Sequence, residues 1–569
     1  MNEDVTIVIC GQAGQGINTL EGVLARIFTG GGYNVFTTQE LMSRIRGGMN
    51  STAIRVSSSR VRSFSRRVDI LVSLHSGGVG HIGDRVKAET LILSDEKTVR
   101  DEDRERKNFA SVSWQKIAEE LGGAVYANTV SVGAIAGVLG LEEEAAEKIV
   151  ESYFSRFGEE IQENNLQAFR RGQQRGQEIA RERGLTFPQI SPGEKAGEVF
   201  LNGTQGIALG AIAGGCNFLS FYPMSPATGV GVFLAGKSPD FNIEVIQAED
   251  EISAVNMALG AWYAGGRGLV TTSGGGFALM NEGLSLAGMI ETPLVIHLGQ
   301  RPGPATGLPT RTEQGDLLHS LFAGHGEFPR AIFAPGTIEE CFFLTRQAFL
   351  LADRCQVPVI VLTDQYLLDS AYNLPHPEIP EEDPGNQIVE TDSDYRRYEP
   401  GKDGISPRGI PGWGQGTVAV DSDEHDRSGR ITESFSCRVE MVDKRQEKLA
   451  LLTREALEPE FFGDRDYRTL VIGWGSTYPV IRESLEKRVE KGIGGLHFLQ
   501  VYPLHPKTAE YLQQAEKIIV IENNLSGQFA RLLKMTFGLD NLTGVNKYDG
   551  LPFSREEISQ ALNQEADNE

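Results

Sequence analysis

The chain has 569 residues, which is too long for one hydrophobic core and predicts roughly three to four domains. Its 66 glycines are typical of an α/β enzyme with many tight turns. The net charge of −23 argues against general binding to nucleic acid or to an anionic membrane, because phosphates would be repelled. We see no basic N-terminal signal and no run of the roughly 18 apolar residues that span a membrane, so we expect a cytoplasmic protein.

Cysteine and histidine spacing argues against a metal centre in this chain. The five cysteines are scattered and show neither a disulfide framework nor a CxxC spacing: Cys10, Cys216, Cys341, Cys355 and Cys437. The nine histidines show no HxxH or HExxH spacing. We therefore expect no metal ligand here, and we expect any redox cluster to lie in another chain.

The N-terminal part of the sequence has the pattern of an open α/β unit. An apolar run at Val5–Ile9 stops at the glycine-rich turn Gly11–Gly16, and apolar residues with a helical period follow. Further strands are predicted at Asp69–Leu74 and Thr90–Leu93, and an amphipathic helix is predicted at Leu141–Phe154. Strands that alternate with helices in this way indicate an open sheet.

A charged segment, Glu159–Gly184, closes this unit, and we interpret it as a solvated helix. The Pro- and Gly-containing linker Phe187–Gly197 comes next, and a second α/β unit is predicted from about Val199 to Asp364. Its apolar, strand-like runs are Phe218–Phe221, Ile243–Gln247, Gly268–Thr272, Leu294–His297 and Val357–Thr363.

The periodicity disappears from Pro375 to about Phe435, where Pro, Gly, Asp and Glu dominate. So long an irregular stretch predicts an interface or active-site arm rather than a disordered tether. A third α/β unit follows, with strands at Thr469–Gly473, Gly495–Val501 and Lys517–Glu522. We expect the polar tail Asn563–Glu569 to be frayed.

The first glycine-rich turn could hold a phosphate, because free N–H groups and a helix dipole meet there. Its glycines, Gly11, Gly14 and Gly16, follow the spacing GxxGxG rather than GxGxxG, and no ribose-binding acid follows. A packing turn and a phosphate site therefore both remain open. Arg44 and Arg46 lie beside two glycines, which suits an anionic ligand, a docking surface or simply two solvated side chains.

The second unit has polar loops where its predicted strands end, which is where open α/β sheets bind ligands. These segments are Tyr222–Thr228, Gln247–Ala254, Thr272–Phe277 and His297–Thr306. Asp250 and its acidic neighbours could simply cap a helix. We expect the two glycine-rich segments to be loops, and we expect Ser225, Glu251 and Arg301 to lie within reach of one another.

Several segments match one protein family in the same order along nearly the whole chain: GQAGQG, SRIRGGMN, FYPMSPAT, QAEDEISA, LMNEGLSLAGM, GPATGLPTRTEQGDL, GISPR, EHDRSG and ENNLSGQ. The chain resembles the α subunits of 2-oxoacid:ferredoxin (acceptor) oxidoreductases that carry an N-terminally fused γ domain. It is most similar to members that use 2-oxoglutarate, the 2-oxoglutarate synthases.

The resemblance implies an α/β fold with three α/β domains and one connecting segment. Residues 1–185 would form a Rossmann-like γ domain, and residues 196–375 a thiamine-diphosphate pyrimidine-binding domain. Residues 376–460 would form an irregular interface arm, and residues 461–569 a transketolase C-terminal-like domain.

The resemblance also assigns the acid of the site. Glu251 would be the carboxylate that hydrogen-bonds N1′ of the thiamine diphosphate pyrimidine, with Glu249 as the second candidate. A carboxylate there favours the imino form of the pyrimidine, whose nitrogen removes the C2 proton. Tyr222, Pro223, Gly274 and Gly275 would line the same cofactor. Gly275 stands where the family commonly has proline, which puts the rigidity of that segment in doubt.

The substrate residues come from the same resemblance. Arg301 would lie near the substrate carboxylate, and Arg311 is a second candidate, because a guanidinium holds a carboxylate with a bidentate fork. Ser225 keeps a hydroxyl where threonine is usual, and Thr306 lies in the matching loop. In the first domain, Gly11, Gly14, Gly16, Arg44 and Arg46 would be candidates for coenzyme A or phosphate.

The chain lacks the GDG…N motif for Mg²⁺ and diphosphate and the cysteines for a [4Fe–4S] cluster, which the family carries on a β subunit. The resemblance therefore implies an (αβ)₂ assembly that shares thiamine diphosphate. It would convert 2-oxoglutarate, coenzyme A and oxidised ferredoxin into succinyl-CoA, CO₂ and reduced ferredoxin, in either direction. Other 2-oxoacids, a nucleotide-dependent dehydrogenase using Gly11–Gly16, and a non-catalytic scaffold are the alternatives.

Overall fold

The structure is a computed structural model that describes residues 4–43, 48–185, 197–379, 387–488 and 492–567. These described residues form three β-sheets of eight, seven and five strands. The chain divides into two compact units. The N-terminal unit comprises Met1–Leu201, Ser370–His376 and Ser554–Glu556, and the C-terminal unit comprises the remainder.

The N-terminal unit contains the first sheet and its helices. Its first seven strands are β1 (Asp4–Gln12), β2 (Asn34–Glu40), β3 (Met49–Ser57), β4 (Ile70–Ser73), β5 (Leu91–Ser94), β6 (Phe109–Ser111) and β7 (Glu198–Asn202). The helices are α1 (Ile17–Gly30), α2 (Gly78–Ile82), α3 (Asp101–Arg104), α4 (Trp114–Glu120), α5 (Ala127–Leu139), α6 (Glu143–Phe154) and α7 (Glu159–Arg183). The predicted strands β1, β4 and β5 and the predicted helices α1 and α6 are confirmed.

The charged helix α7 is not simply solvated, as the sequence pattern suggested. It buries Leu166, Phe169 and Ile179 against the rest of the unit. A Cβ at Gly137 of α5 would overlap the carbonyl oxygen of Gln173, so the two helix backbones pack in direct contact. Glycines repeat at four-residue spacing on both helices, which permits this approach. The predicted linker after α7 lies, except for Gly197, outside the described residues.

The C-terminal unit begins with the second sheet. Its elements are α8 (Gly203–Ala213), β8 (Phe218–Phe221), α9 (Thr228–Phe241), β9 (Glu244–Gln247), α10 (Glu251–Tyr263), β10 (Gly268–Thr272), α11 (Gly274–Leu279), α12 (Asn281–Met289), β11 (Leu294–Gln300), α13 (Leu317–Phe322), β12 (Ala331–Phe333), α14 (Ile338–Cys355), β13 (Pro358–Asp364) and α15 (Gln365–Asp369). All five predicted strands are confirmed. The parallel order β12-β13-β11-β10-β8-β9 brings their carboxyl ends to one edge.

The next strand, β14 (Ala371–Pro375), returns to the first sheet, where it pairs antiparallel to β2. The strand order there is β6-β5-β4-β1-β3-β2-β14-β7. Residues 196–375 were predicted as one domain, yet β7 and β14, near its two ends, pair in the first sheet. Strand pairing across the chain decides this boundary, and local sequence does not report it.

The predicted arm is irregular from residue 387 to 434, apart from a short 3₁₀ turn at Lys402–Gly404. The expectation of irregular structure up to residue 460 is wrong, because α16 (Phe435–Arg454) is a regular helix. Ion pairs hold both parts against elements that flank the second sheet. Arg408 pairs with buried Asp353, and Lys444 and Lys448 of α16 lie 2.7 and 2.5 Å from the Glu291 carboxylate.

The rest of the C-terminal unit contains the third sheet. Its elements are β15 (Glu460–Gly463), β16 (Thr469–Trp474), α17 (Thr477–Glu486), β17 (Ile493–Phe498), β18 (Gln500–Tyr502), α18 (Thr508–Gln514), β19 (Lys517–Glu522), α19 (Gln528–Phe537), β20 (Leu542–Asn546) and α20 (Arg555–Asp567). The strand order is β15-β17-β16-β19-β20. The polar tail was predicted to be frayed, but it is helical as far as Asp567.

The predicted strand Gly495–Val501 is two strands in two sheets. β17 pairs parallel to β16, whereas β18 pairs antiparallel to β12 of the second sheet. One hydrophobic cluster also joins the sheets, from Ile296 of β11 to Trp474 of β16. The second and third sheets are therefore parts of one compact unit. None of the described helices is both long and apolar enough to cross a membrane.

Candidate active site

Glu251 is the first residue of α10, at the carboxyl edge of the second sheet. Asp250 caps this helix, because its side chain accepts a hydrogen bond of 2.7 Å from the Ser253 backbone N–H. The cap holds Glu251 in a fixed orientation, and its side chain is only 3% exposed. Glu249, the second candidate for the catalytic acid, is exposed. Burial thus favours Glu251.

The Glu251 carboxylate lies directly against the first turn of α11. A Cβ at Gly276 would be 2.5 Å from Oε1 of Glu251 and would also overlap the Thr272 side chain. Oε1 is buried and has no hydrogen-bond partner among the described residues. Burial raises the pKa of Glu251, and the neighbouring charge of Asp250 adds to this effect. The site therefore holds a buried acid with one carboxylate oxygen that no described residue engages.

The glycines that follow β10 form a helix start rather than the loop that we expected. Gly274–Gly276 are the first turn of α11, with Ser273 before it. A proline at 275 would fit a first helical turn, because no intrahelical hydrogen bond is lost there. Gly275 is exposed, and a Cβ there would lie 4.0 Å from Met224 Sδ and 3.9 Å from the Ala305 carbonyl oxygen.

Three of the predicted segments therefore meet at the edge of the sheet, around Gly275. Arg301, just after β11, donates a hydrogen bond of 2.7 Å from Nη1 to the Ser225 carbonyl oxygen. The bond uses the backbone of Ser225, and the residue itself is exposed. Burial lowers the pKa of Arg301, whereas the charge of Asp316 raises it. The guanidinium is thus anchored at one nitrogen beside the loop Tyr222–Thr228.

Sequence reasoning missed Asp316, which lies beside Gly274. Its carboxylate oxygens are 2.5 and 2.6 Å from the point that a Cβ of Gly274 would occupy. Burial and the nearby charge of Glu313 raise the pKa of Asp316 to about 6, against the opposing effect of Arg301. The available signal was an acid directly before the apolar run that begins α13, a pattern that usually marks only a helix cap.

The third sheet holds the segment that carries Asp316. The Gln314 backbone N–H donates to the Asn523 carbonyl at 2.7 Å, and the Gln314 amide donates to the Trp474 carbonyl at 2.8 Å. Asn524 donates to the Gln314 carbonyl at 3.0 Å. The ENNLSGQ motif, which begins with Glu522 at the end of β19, thus acts as a support for the TRTEQGDL segment.

The other predicted site residues of this unit are more exposed or lie elsewhere. Tyr222 is 41% exposed, and Pro223 and Thr306 are also exposed. The Cβ of Arg311 lies 3.2 Å from the point that a Cβ of Gly550 would occupy. The Cβ of Arg311 therefore lies near the third sheet, whereas the guanidinium of Arg301 lies beside Ser225.

The glycine-rich turn of the N-terminal unit is held by its own residues. Gln15 accepts a hydrogen bond of 2.6 Å from the Gln12 N–H and donates one of 3.2 Å to the Leu74 carbonyl. Gly14 and Gly16 have φ of 91° and 76°, which explains glycine at both positions. The turn therefore has a structural role, and its binding of phosphate or coenzyme A remains a prediction. Arg44 and Arg46 lie outside the described residues.

Among the described residues, we find no group of three or more His, Cys, Asp or Glu side chains arranged to hold a metal ion. His297 illustrates a buried histidine with a structural role. It bridges three strands, since its ring nitrogens lie 2.8 Å from Thr271 Oγ1 and 2.9 Å from Thr363 Oγ1. Burial lowers its pKa to about 3, so the ring is neutral.

Comparison with known families gives two matches that cover different parts of the chain. Residues 6–175 match the family described as pyruvate ferredoxin/flavodoxin oxidoreductase. Residues 209–444 match the family described as pyruvate flavodoxin/ferredoxin oxidoreductase, thiamine diphosphate-binding. The second match includes Glu251, Gly276, Arg301 and Asp316.

Individual relatives match over nearly the full length. A 2-oxoacid:ferredoxin oxidoreductase subunit alpha from Sulfolobus is 31% identical, over 98% of this chain and 96% of that protein. The 2-oxoglutarate oxidoreductase subunit KorA of Mycobacterium tuberculosis is 27% identical, over 98% and 91%. A solved 2-oxoglutarate:ferredoxin oxidoreductase from Magnetococcus marinus, with 2-oxoglutarate, coenzyme A and succinyl-CoA bound, is 28% identical. It has a TM-score of 0.92 and covers 99% of this chain and 100% of that one.

Proposed function

This chain belongs to the α subunits of the 2-oxoacid:ferredoxin oxidoreductases, and we propose that it works with a β subunit to oxidise 2-oxoglutarate. The reaction takes 2-oxoglutarate, coenzyme A and oxidised ferredoxin to succinyl-CoA, CO₂ and reduced ferredoxin, and it can run in reverse. The β subunit carries Mg²⁺ and a [4Fe–4S] cluster in a cytoplasmic (αβ)₂ complex. The N-terminal unit contributes to coenzyme A binding.

The residues around Glu251 fit the pyrimidine of thiamine diphosphate. A buried carboxylate oxygen without a partner is costly unless a ligand donor meets it, and N1′ in its protonated form is such a donor. Gly275, the residue before Gly276, is exposed, and a Cβ there would make only ordinary contacts with Met224 and Ala305. The bound cofactor would supply the electron sink for decarboxylation. Glu251 holds the proton at N1′, and its raised pKa suits that exchange.

Arg301 is the residue that we assign to the substrate carboxylate. Its Nη1 is fixed on the Ser225 carbonyl at 2.7 Å, which leaves other N–H groups of the fork for an anion. The Ser225 and Thr306 hydroxyls lie in exposed loop positions suited to a substrate oxygen. Arg311 is the second candidate for the same carboxylate.

The choice of 2-oxoglutarate is supported by relatives rather than by a pocket that selects it. The solved relative from Magnetococcus marinus has 2-oxoglutarate and succinyl-CoA bound, and the relative from Mycobacterium tuberculosis has 2-oxoglutarate in its name. The Sulfolobus relative is named for 2-oxoacids in general. An arginine recognises the carboxylate that all 2-oxoacids share.

The test is an assay of the α chain co-expressed with its β subunit. We expect coenzyme-A-dependent viologen reduction with 2-oxoglutarate, and a lower kcat/KM with pyruvate and branched 2-oxoacids. Absence of turnover with every 2-oxoacid would contradict the proposal. Binding of NAD(P) by the purified chain would instead support a dehydrogenase.

The single observation that carries the proposal is the buried, unpartnered Oε1 of Glu251 over Gly276. Glu251→Gln should therefore abolish turnover while the complex still assembles, which separates catalysis from a scaffold role. Glu249→Gln is the matched control, because Glu249 is exposed two residues away.

A further inference from the structure

Asp316 is a partly buried acid in the site that the proposed reaction does not use. Its Oδ2 is buried and has no hydrogen-bond partner among the described residues. The carboxylate is pressed against Gly274, where any side chain would collide with it. A buried carboxylate oxygen without a hydrogen-bond donor is costly, so its presence here calls for an explanation.

The backbone of Asp316 is held by the side chain of Gln300. The Asp316 backbone N–H donates a hydrogen bond of 2.9 Å to Oε1 of Gln300, the residue before Arg301. Two residues earlier, Gln314 is locked to Asn523 and Trp474 of the third sheet. These bonds hold the Asp316 segment in place, and the charges of Asp316 and Arg301 act on each other's pKa.

The charges around Asp316 set its protonation near neutral pH. Burial is the largest influence and brings the pKa to about 6, with Glu313 of the same segment raising it and Arg301 lowering it. The neighbours on α11 and β11, Gly274 and Gln300, carry no charge. His319 on α13 has a pKa lowered by burial and is neutral at pH 7.

We propose that Asp316 is the internal counter-ion of Arg301 and takes up a proton when the carboxylate of a 2-oxoacid binds there. The inference rests on the proposed role of Arg301 in substrate binding. Without substrate, the Asp316 carboxylate partly neutralises the guanidinium. The substrate brings a second negative charge, so Asp316 accepts a proton from solvent and leaves the guanidinium to the substrate. The proton returns to solvent when that charge leaves as CO₂.

The direction of the pH effect follows from linkage. Binding raises the pKa of Asp316, so affinity for the 2-oxoacid increases as pH falls and becomes constant once the free acid is protonated, below about pH 6. We expect the dissociation constant to fall about five- to tenfold between about pH 8 and about pH 6. Asp316→Asn should remove this dependence and bind at the higher pH as tightly as the wild type does at the lower one.

The experiment is calorimetric titration of the co-expressed α–β complex at several pH values. The complex is loaded with a thiamine diphosphate analogue that cannot form the ylid, so that the bound 2-oxoacid keeps its carboxylate. The ligand is 2-oxoglutarate, or pyruvate if the complex turns over pyruvate instead, without coenzyme A or ferredoxin. Two buffers of different ionisation enthalpy reveal how many protons are taken up. We expect uptake near neutral pH in the wild type and a clear reduction in Asp316→Asn.

Glu313→Gln is the matched control on the same segment. Because the charge of Glu313 raises the pKa of Asp316, its removal should shift the proton uptake to lower pH without abolishing it. Unchanged proton uptake in Asp316→Asn, or none in the wild type, overturns the inference; the wild-type measurement needs no variant to fold. If no 2-oxoacid is turned over, the proposed function fails. If turnover occurs without proton uptake, only this inference fails.

Discussion

Oε1 of Glu251 lies 2.5 Å from the point where a Cβ of residue 276 would be, so glycine at 276 and the orientation of the acid depend on each other. The two residues are on different helices, α10 and α11. Any side chain at 276 must displace the carboxylate from its place over the turn.

Gly276→Ala should therefore impair catalysis with little effect on assembly. A displacement of about 1 Å at a reacting group can cost about a hundredfold in rate, and we expect a loss of kcat of about that size. The measurement is turnover of the co-expressed complex, with thermal unfolding in parallel. Gly260→Ala on α10 is the control, because a Cβ there meets nothing within 4 Å. Wild-type turnover in Gly276→Ala would contradict our placement of the acid.

Arg301→Lys should raise KM for the 2-oxoacid about tenfold or more, with a smaller change in kcat. Lysine keeps the charge but loses the planar fork, and hydrogen bonds to charged groups contribute about 1.5–3 kcal/mol. Steady-state kinetics of the complex measures both parameters. Arg311→Lys is the comparison, because the Cβ of Arg311 lies near Gly550, whereas the Arg301 guanidinium is bonded to Ser225. A larger rise in KM for Arg311→Lys would reassign the substrate carboxylate.

Gln314→Ala should lower both stability and activity. The substitution leaves the Trp474 carbonyl and the Asn523 N–H without their partner, and each such loss costs about 1–3 kcal/mol when the group is buried. The segment that carries Asp316 would then loosen. We would measure thermal unfolding and the KM for the 2-oxoacid. Gln528→Ala is a useful companion, because Gln528 bonds the adjacent Gly315 carbonyl at 2.6 Å. A stable Gln314→Ala complex with unchanged KM would rule out the supporting role.

Glu291→Gln should destabilise the C-terminal unit by about 3–5 kcal/mol near neutral pH, because it leaves Lys444 and Lys448 buried without their anion. Burial would raise the pKa of Glu291, but the charges of Lys448, Lys444 and Arg397 overcome it and hold the pKa well below 4.5. Chemical denaturation measures the free energy of unfolding, and Glu282→Gln on the exposed side of α12 is the control.

The acid dependence of that stability has a definite sign. A depressed pKa means that the ionised Glu291 stabilises the fold above the ordinary pKa of 4.5, and that this contribution is lost as pH falls towards the folded-state value. The wild type should therefore lose more stability in this acid range than Glu291→Gln does. If the free energies of unfolding of the two proteins fall in parallel with pH, the ion pairs contribute nothing to stability.

The sequence by itself determined the local elements and the chemistry of the loops. Short apolar runs identified the predicted strands of the second sheet, since local backbone preferences produce these patterns. The order of acids before α10 and the family resemblance together identified Glu251. Its orientation could not be read from the pattern, because it depends on Gly276, which lies on another helix.

The tertiary structure alone decided which distant segments meet. α7 has a polar composition, yet it packs on α5 through glycines whose role appears only when both helices are in contact. β18 leaves the third sheet for β12, and β14 returns to β2, because strand pairing is settled by hydrogen bonds between residues far apart in sequence. Asp316 became a site residue for the same reason: contacts with Gln300, with Gly274 and, through Gln314, with the third sheet place its carboxylate, and no local pattern encodes them.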